Sequence, residues 1–130
     1  MLIVDASCLI SVLTGSGSFN MISDFMKINS EQCAPHIIEV ETLNVIRRAF
    51  LNGQIDGTTA NQAVEDLRNW PGERFSHVGL IERAWELKHN LRGWDAFYVA
   101  LAESLDAPLI TLDSKLAKIK GLACKVILFP

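Results

Sequence analysis

Four acidic residues stand where an acid is costly. Asp5 follows the apolar run of residues 1–4, and Asp113 follows residues 107–112. Asp95 opens the helical run 96–102, and Glu41 lies within an apolar-rich helical stretch, residues 37–51. Carboxylates are rarely buried without a partner, and burying a bare charge is very costly. One such acid needs no special account. Two at strand ends and two on core-facing helices predict a shared pocket that gathers negative charge to hold a cation.

The chemistry follows from the donors. All are oxygen ligands, and no Cys–Cys or His–His pair has metal spacing. Hard oxygen donors suit Mg2+, with Mn2+ as the alternative, rather than zinc. Two such ions can clamp the attacking and leaving oxygens of a phosphodiester. A bound metal also lowers the pKa of water, so no dedicated histidine base is needed. Ser7, two residues after Asp5, and Thr111, two before Asp113, are placed to orient a carboxylate or a metal-bound water. Local capping or strand packing would explain both hydroxyls equally well.

Each acid also has a purely structural explanation. Asp5 and Asp113 could be helix N-caps at strand-to-helix turns. Asp95 could favour the positive end of its helix. Glu41 could pair with Arg48, although seven residues exceeds the usual reach along a helix. His36 at a helix start, His77 in a strand and His89 on a solvated helix read as non-catalytic. Trp70, Trp85 and Trp94 read as core or interface residues rather than base-stacking platforms.

The elements that must position these side chains can be read from periodicity. Residues 2–4 form a short buried strand, followed by a helix over 6–13 and a flexible TGSGS loop at 14–18. Phe19, Ile22, Phe25 and Met26 give helical spacing for a second helix. Residues 32–34 form a second strand, stopped by Pro35. A third helix over 36–52 ends at Asn52-Gly53. On it, Glu41, Asn44, Arg48 and Asn52 fall on one narrow polar strip, whereas Glu39 falls on another face. Further helices are expected over 57–70, 80–91, 94–105 and 114–120, and strands over 75–78, 108–112 and 125–128. Strands alternating with helices imply a parallel sheet covered on both faces. Ligands bind such sheets at the carboxyl ends of the strands, where Asp5 and Asp113 stand.

Length and composition narrow the class. The 130 residues fit one domain, residues 1–130, and 49% hydrophobic residues supply a real core. No apolar run approaches the ~20 residues that span a membrane. The opening MLIVDAS lacks a basic signal-peptide region, so a cytoplasmic protein is expected. The odd count of three cysteines, Cys8, Cys33 and Cys124, reads as small buried hydrophobes. A net charge of −3 argues against a generic basic nucleic-acid binder. It does not argue against a nuclease whose acids are neutralised by metal.

These residues, in this order, resemble the PIN-domain ribonucleases, and among them the VapC-type toxins of bacterial and archaeal toxin–antitoxin pairs. The opening LIVDASCLI resembles the family's first strand and its Asp-x-Ser. The segment ETLNVIRR resembles its Glu-x-x-Asn-x-x-Arg helix, which selects Glu41 over Glu39. The block WDAFYVALAESLDAPLITLDSKL resembles the third acid, its helix, and the strand ending in the fourth acid.

The resemblance implies a three-layer α/β sandwich with a central parallel sheet of four or five strands. It implies a Mg2+-dependent endonuclease acting on single-stranded regions of RNA. Asp5, Glu41, Asp95 and Asp113 would form the acidic site, with Ser7 and Asn44 in support. A homodimer is also implied, and a partner antitoxin that covers the site and itself binds DNA. Arg48 and Arg92 match phosphate geometry and are candidate substrate contacts. For Arg92 a solvated helix end is an equal alternative.

Three rivals remain at this level. One is a nuclease of the same fold acting on DNA or precursor RNA. The second is a receiver-type Mg2+-binding signalling domain, which needs paired acids after the first strand that Asp5 lacks. The third is a binding module whose acids are only structural.

Overall fold

The computed structural model describes residues 1–29 and 31–130. Five strands form one all-parallel sheet: β1 (Leu2–Val4), β2 (Gln32–Pro35), β3 (Glu73–Phe75), β4 (Leu109–Thr111) and β5 (Val126–Leu128). Their order is β3-β2-β1-β4-β5. The first strand therefore lies in the middle, and the chain builds outward on one side before crossing to the other. The crevice between β1 and β4 is the switch point of the topology, where ligand sites of open α/β sheets lie.

The central strands are uninterrupted apolar runs because both faces are covered. Leu2, Ile3, Val4, Leu109 and Ile110 are fully buried. The helices are α1 (Ala6–Thr14), α2 (Phe19–Ile28), α3 (Ile37–Leu51), α4 (Gly57–Arg68), α5 (Ile81–Glu86), α6 (Gly93–Leu105) and α7 (Ser114–Ala117). α6 brings Tyr98, Val99, Leu101 and Ala102 into the main core. Ile46 of α3 meets Ala60 and Ala63 of α4 in a smaller apolar cluster. Among the described residues no helix is long and apolar enough to cross a membrane.

Element ends follow local chemistry. Asp5 caps α1 by accepting from the Cys8 N–H, and Asp56 caps α4 by accepting from Thr59 at 2.7 Å. Gly15 closes α1 in the left-handed region at φ 66°. The amino end of α3 is held from outside its own sequence. His77 Nε2 accepts the Ile37 N–H at 3.0 Å, and the His77 ring packs on Phe97.

Several expectations need correction. Pro35 does not stop β2 but is its last residue, opposite Phe75, where its missing N–H removes no essential ladder bond. β3 begins at Glu73, not at 75, and His77 lies beyond it. The guanidinium of Arg74 fixes the preceding turn by donating to the carbonyls of Leu67, Trp70 and Gly72. The single helix expected over 80–91 is a 3-10 turn at Val78–Leu80, the short α5, and a further run of turns. There the bonds tighten to three-residue spacing, as from the Asn90 N–H to the Leu87 carbonyl, and both Leu87 and Leu91 enter the core. The last helix ends at Ala117 rather than at 120.

Cys8 and Cys33 are buried and Cys124 is half-buried, all as free thiols. Burial, together with the charge of Asp5, pushes the Cys8 thiol well up, which makes it a packing residue.

Candidate functional site

Asp5 sits at the carboxyl end of the central strand, and its neighbourhood is built from two strand-to-helix turns. Its Oδ1 accepts from Ser7 Oγ at 2.6 Å and from the Cys8 N–H at 3.1 Å. Its Oδ2 accepts from Thr111 Oγ1 at 2.5 Å. Each hydroxyl also accepts from the turn after β4: Ser7 Oγ from the Leu112 N–H at 3.0 Å, across the two turns, and Thr111 Oγ1 from the Asp113 N–H at 2.9 Å, within its own turn. The register that pairs Val4 with Ile110 makes this stitching possible. Ser7 and Thr111 therefore fix one acid and the backbone of another. Asp113 in turn caps α7, accepting from the Lys115 N–H at 2.9 Å.

The other two acids arrive on helices. Asp95 lies in the first turn of α6, where the helix dipole favours a negative charge, and pairs with Arg92 at 3.3 Å. Glu41 lies one turn into α3 and accepts on Oε1 from the Tyr98 hydroxyl of α6 at 2.8 Å. The Glu41–Arg48 pair that periodicity allowed does not form. Glu39, on the other face as expected, pairs with Arg74 at 3.6 Å.

The acids sense one another. Burial raises the Asp5 carboxyl above its ordinary range, against the pull of Ser7, Thr111 and Cys8. Burial also raises Glu41; the Tyr98 hydroxyl pulls it back, and the charges of Asp95 and Asp5 push it further up. Asp95 is raised by burial and by the charge of Asp113, against the opposing pull of Arg92. Raised carboxyls that share one field mark functional sites more often than surface ones do.

The pocket nonetheless differs from the converged cluster that the sequence suggests. Among the described residues, no group of three His, Cys, Asp or Glu side chains stands ready to hold a metal. Each acid is instead met locally by a hydroxyl, a backbone amide or an arginine. Those donors offset the repulsion that a closed cluster would carry.

The donor set still suits a hard cation. Every donor is oxygen. Glu41 Oε2, Asp95 Oδ1 and Asp113 Oδ2 have no protein hydrogen-bond donor among the described residues. A carboxylate keeps lone pairs on each oxygen, so all three have an oxygen to offer.

Beside the acids lies a cleft of about 710 Å3, lined by Glu41, Asn44 and Arg48 together with Arg47, Val40 and Trp94. The polar strip of α3 is thus gathered along one cleft, except for Asn52, which ends the helix. Arg92 is not free: it pairs with Asp95 and lies 5.9 Å over the Trp94 ring.

Two contributors escaped the sequence reading. Tyr98 stands one turn from Asp95 on α6, and a buried phenol needs a partner, but helical spacing alone does not name Glu41 as that partner. His77 was set aside, yet it anchors the helix that carries Glu41. No local pattern points to a cap from 40 residues away.

Comparison with known proteins bears on the family and the fold. The PIN domain family matches residues 2–122. The chain is 38% identical to ribonuclease VapC1 of Mycobacterium tuberculosis over 125 residues, covering 95% of this chain and 94% of that one. It is 30% identical to ribonuclease VapC9 of the same species over 130 residues, covering 100% and 99%. Among solved structures, PAE2754 of Pyrobaculum aerophilum superposes with a TM-score of 0.72 at 22% identity, covering 96% of this chain and 81% of that one. VapBC2 of Rickettsia felis, bound to a DNA fragment from its promoter, gives 0.69 at 12% identity, covering 99% and 98%. The parallel five-stranded sheet, the family match and the near full-length relatives agree: this chain belongs to the PIN-domain family, in its VapC-type branch.

Proposed function

We propose that this protein is a Mg2+-dependent endoribonuclease, the toxin of a toxin–antitoxin pair, which cuts single-stranded regions of RNA. The observation that carries this reading is the set of four carboxylates at the switch point of the sheet, three of them raised by burial and coupled by charge. The relatives named as ribonucleases support the substrate class, and the VapBC2 assembly supports an antitoxin partner.

Asp5, Asp95 and Asp113 would hold Mg2+ or Mn2+, with Glu41 completing the site. When bound, the ion would lower the pKa of water and stabilise charge on the phosphodiester undergoing in-line displacement. The remaining work falls to the chain. Ser7 and Thr111 fix the Asp5 carboxylate, Tyr98 orients Glu41, and Asn44 stands on the cleft wall beside it. Arg48 offers a guanidinium to substrate phosphates. Arg92, when released from Asp95, offers a second.

The acidic cleft also defines its inhibitor. An antitoxin arginine or lysine reaching the carboxylates would make charge-assisted hydrogen bonds there. DNA is then contacted only through the antitoxin. A homodimer working in the cytoplasm completes the proposal.

Purified Asp95→Asn protein tests it. Asn keeps the shape and removes charge, so RNA cleavage in Mg2+ should vanish while the circular dichroism spectrum stays native. Cleavage at the wild-type rate would refute the proposal. Mg2+ titration by calorimetry separates the idle-module rival, whose acids would bind the ion no better than bulk carboxylates.

A further inference from the structure

Trp94 is 49% exposed and Trp85 67%, whereas Trp70 is buried. Trp94 directly precedes Asp95 and lies in the first turn of α6. It also forms part of the cleft wall that Glu41 and Asn44 line, together with Arg47 and Arg48. The other tryptophans are placed differently. Trp70 is buried and donates to Gln32 Oε1 at 2.9 Å, and Trp85 lies under Lys88 in another cavity.

Recognition of single-stranded nucleic acid needs two things: a π face for a base and cations that follow the phosphates. This cleft supplies both, the Trp94 ring and the guanidinium groups of Arg47 and Arg48, with Val40 adding an aliphatic side chain to the lining. Arg92 strengthens the platform, since its guanidinium lies over the indole while its Nε bonds Asp95.

We infer that Trp94 is the stacking platform for an unpaired RNA base next to the phosphate that faces the four acids. The inference rests on the ribonuclease reading above and deepens it: the cleft beside Glu41 is a nucleobase subsite. Stacking tolerates every base, so this subsite selects unpaired strands over duplexes rather than one sequence over another.

The test is binding of a short single-stranded RNA in EDTA, which separates binding from cleavage. The RNA should quench tryptophan emission in wild type, and the quench should be lost in Trp94→Phe, which keeps a ring but not the fluorophore. Affinity should fall about tenfold or more in Trp94→Ala and less in Trp94→Phe. An abasic strand of equal length, with the same phosphates, should bind wild type and Trp94→Ala alike. If Trp94→Ala fails to fold, Trp94→Leu decides instead, because it keeps apolar bulk without a π face.

Undiminished RNA affinity in Trp94→Ala overturns the inference, as does binding of the abasic strand to the wild-type protein as tightly as the intact RNA. Loss of antitoxin affinity with RNA affinity unchanged also overturns it, since Trp94 would then be a protein contact. A parallel cleavage assay of wild type in Mg2+ keeps the two readings apart. Cleavage without stacking refutes only the subsite. Stacking without cleavage refutes only the catalytic reading.

Discussion

The Tyr98 hydroxyl donates to Glu41 Oε1 at 2.8 Å and so ties α6 to α3 across 57 positions of sequence. It adds a neutral donor between two helices whose acids, Glu41 and Asp95, repel. The phenol favours the charged form of Glu41, partly offsetting the upward push of burial and of Asp95 and Asp5.

Tyr98→Phe should therefore raise the Glu41 pKa further and weaken Mg2+ binding. The buried ring still packs, so the fold survives with a loss of about 1–2 kcal/mol. Calorimetric Mg2+ titration and urea melts of the variant check both effects. Unchanged metal affinity at neutral pH would show that the bond serves packing alone.

Asp5 is both a helix cap and a buried charge, and two substitutions separate these roles. Asn keeps an oxygen for the Cys8 N–H and removes the charge, so metal-free Asp5→Asn should melt a few degrees above wild type. Ala removes the cap as well, and Asp5→Ala should lose about 1 kcal/mol. Mg2+ should stabilise wild type more than either variant. Thermal melts in EDTA and in excess Mg2+ decide it. If Asp5→Asn melts below wild type in EDTA, its charge is better tolerated than burial implies.

The pH profile of the metal-free protein follows from the same groups. Asp5, Glu41 and Asp95 have folded pKa values above ordinary values of 3.8, 4.5 and 3.8. In the window above those values the folded state binds more protons than the unfolded chain. The carboxyls therefore favour folding fully below the ordinary range, and that benefit is lost as pH rises through the folded values. Glu103, lowered by its bond to Arg83, behaves oppositely. Its contribution is present above 4.5 and is lost only as pH falls through the lower folded value. Subtracting the Asp5→Asn profile from that of wild type cancels the other groups. The difference between them should favour wild type progressively as pH falls from neutrality through the raised folded value of Asp5. A flat difference would remove Asp5 from the set of raised carboxyls.

The acids at the ends of β1 and β4 were legible in the sequence because short apolar runs ending in Asp leave few other readings. Glu41 was separable from Glu39 by helical angle, and the structure keeps them apart: one meets Tyr98, the other Arg74. What stayed hidden depends on contacts between distant segments. The edge strand β3 shows no alternation, and Arg74 sets its start through three carbonyls. The stretch after Glu86 has helical spacing, but the core demand on Leu87 and Leu91 is met by tighter turns. Trp94 was assigned by base rate to core or interface, and only its exposure beside Glu41 distinguishes it.

The central place of β1 has a consequence during synthesis. β1 is held in the sheet by β2 and β4, and β4 is made more than a hundred residues later. Asp5 lacks the Thr111 hydroxyl until that strand docks. Such long-range pairing forms late in folding. Under the proposed function, a ribosome carrying this nascent chain holds an incomplete nuclease, and its own message is safe until translation has passed Asp113.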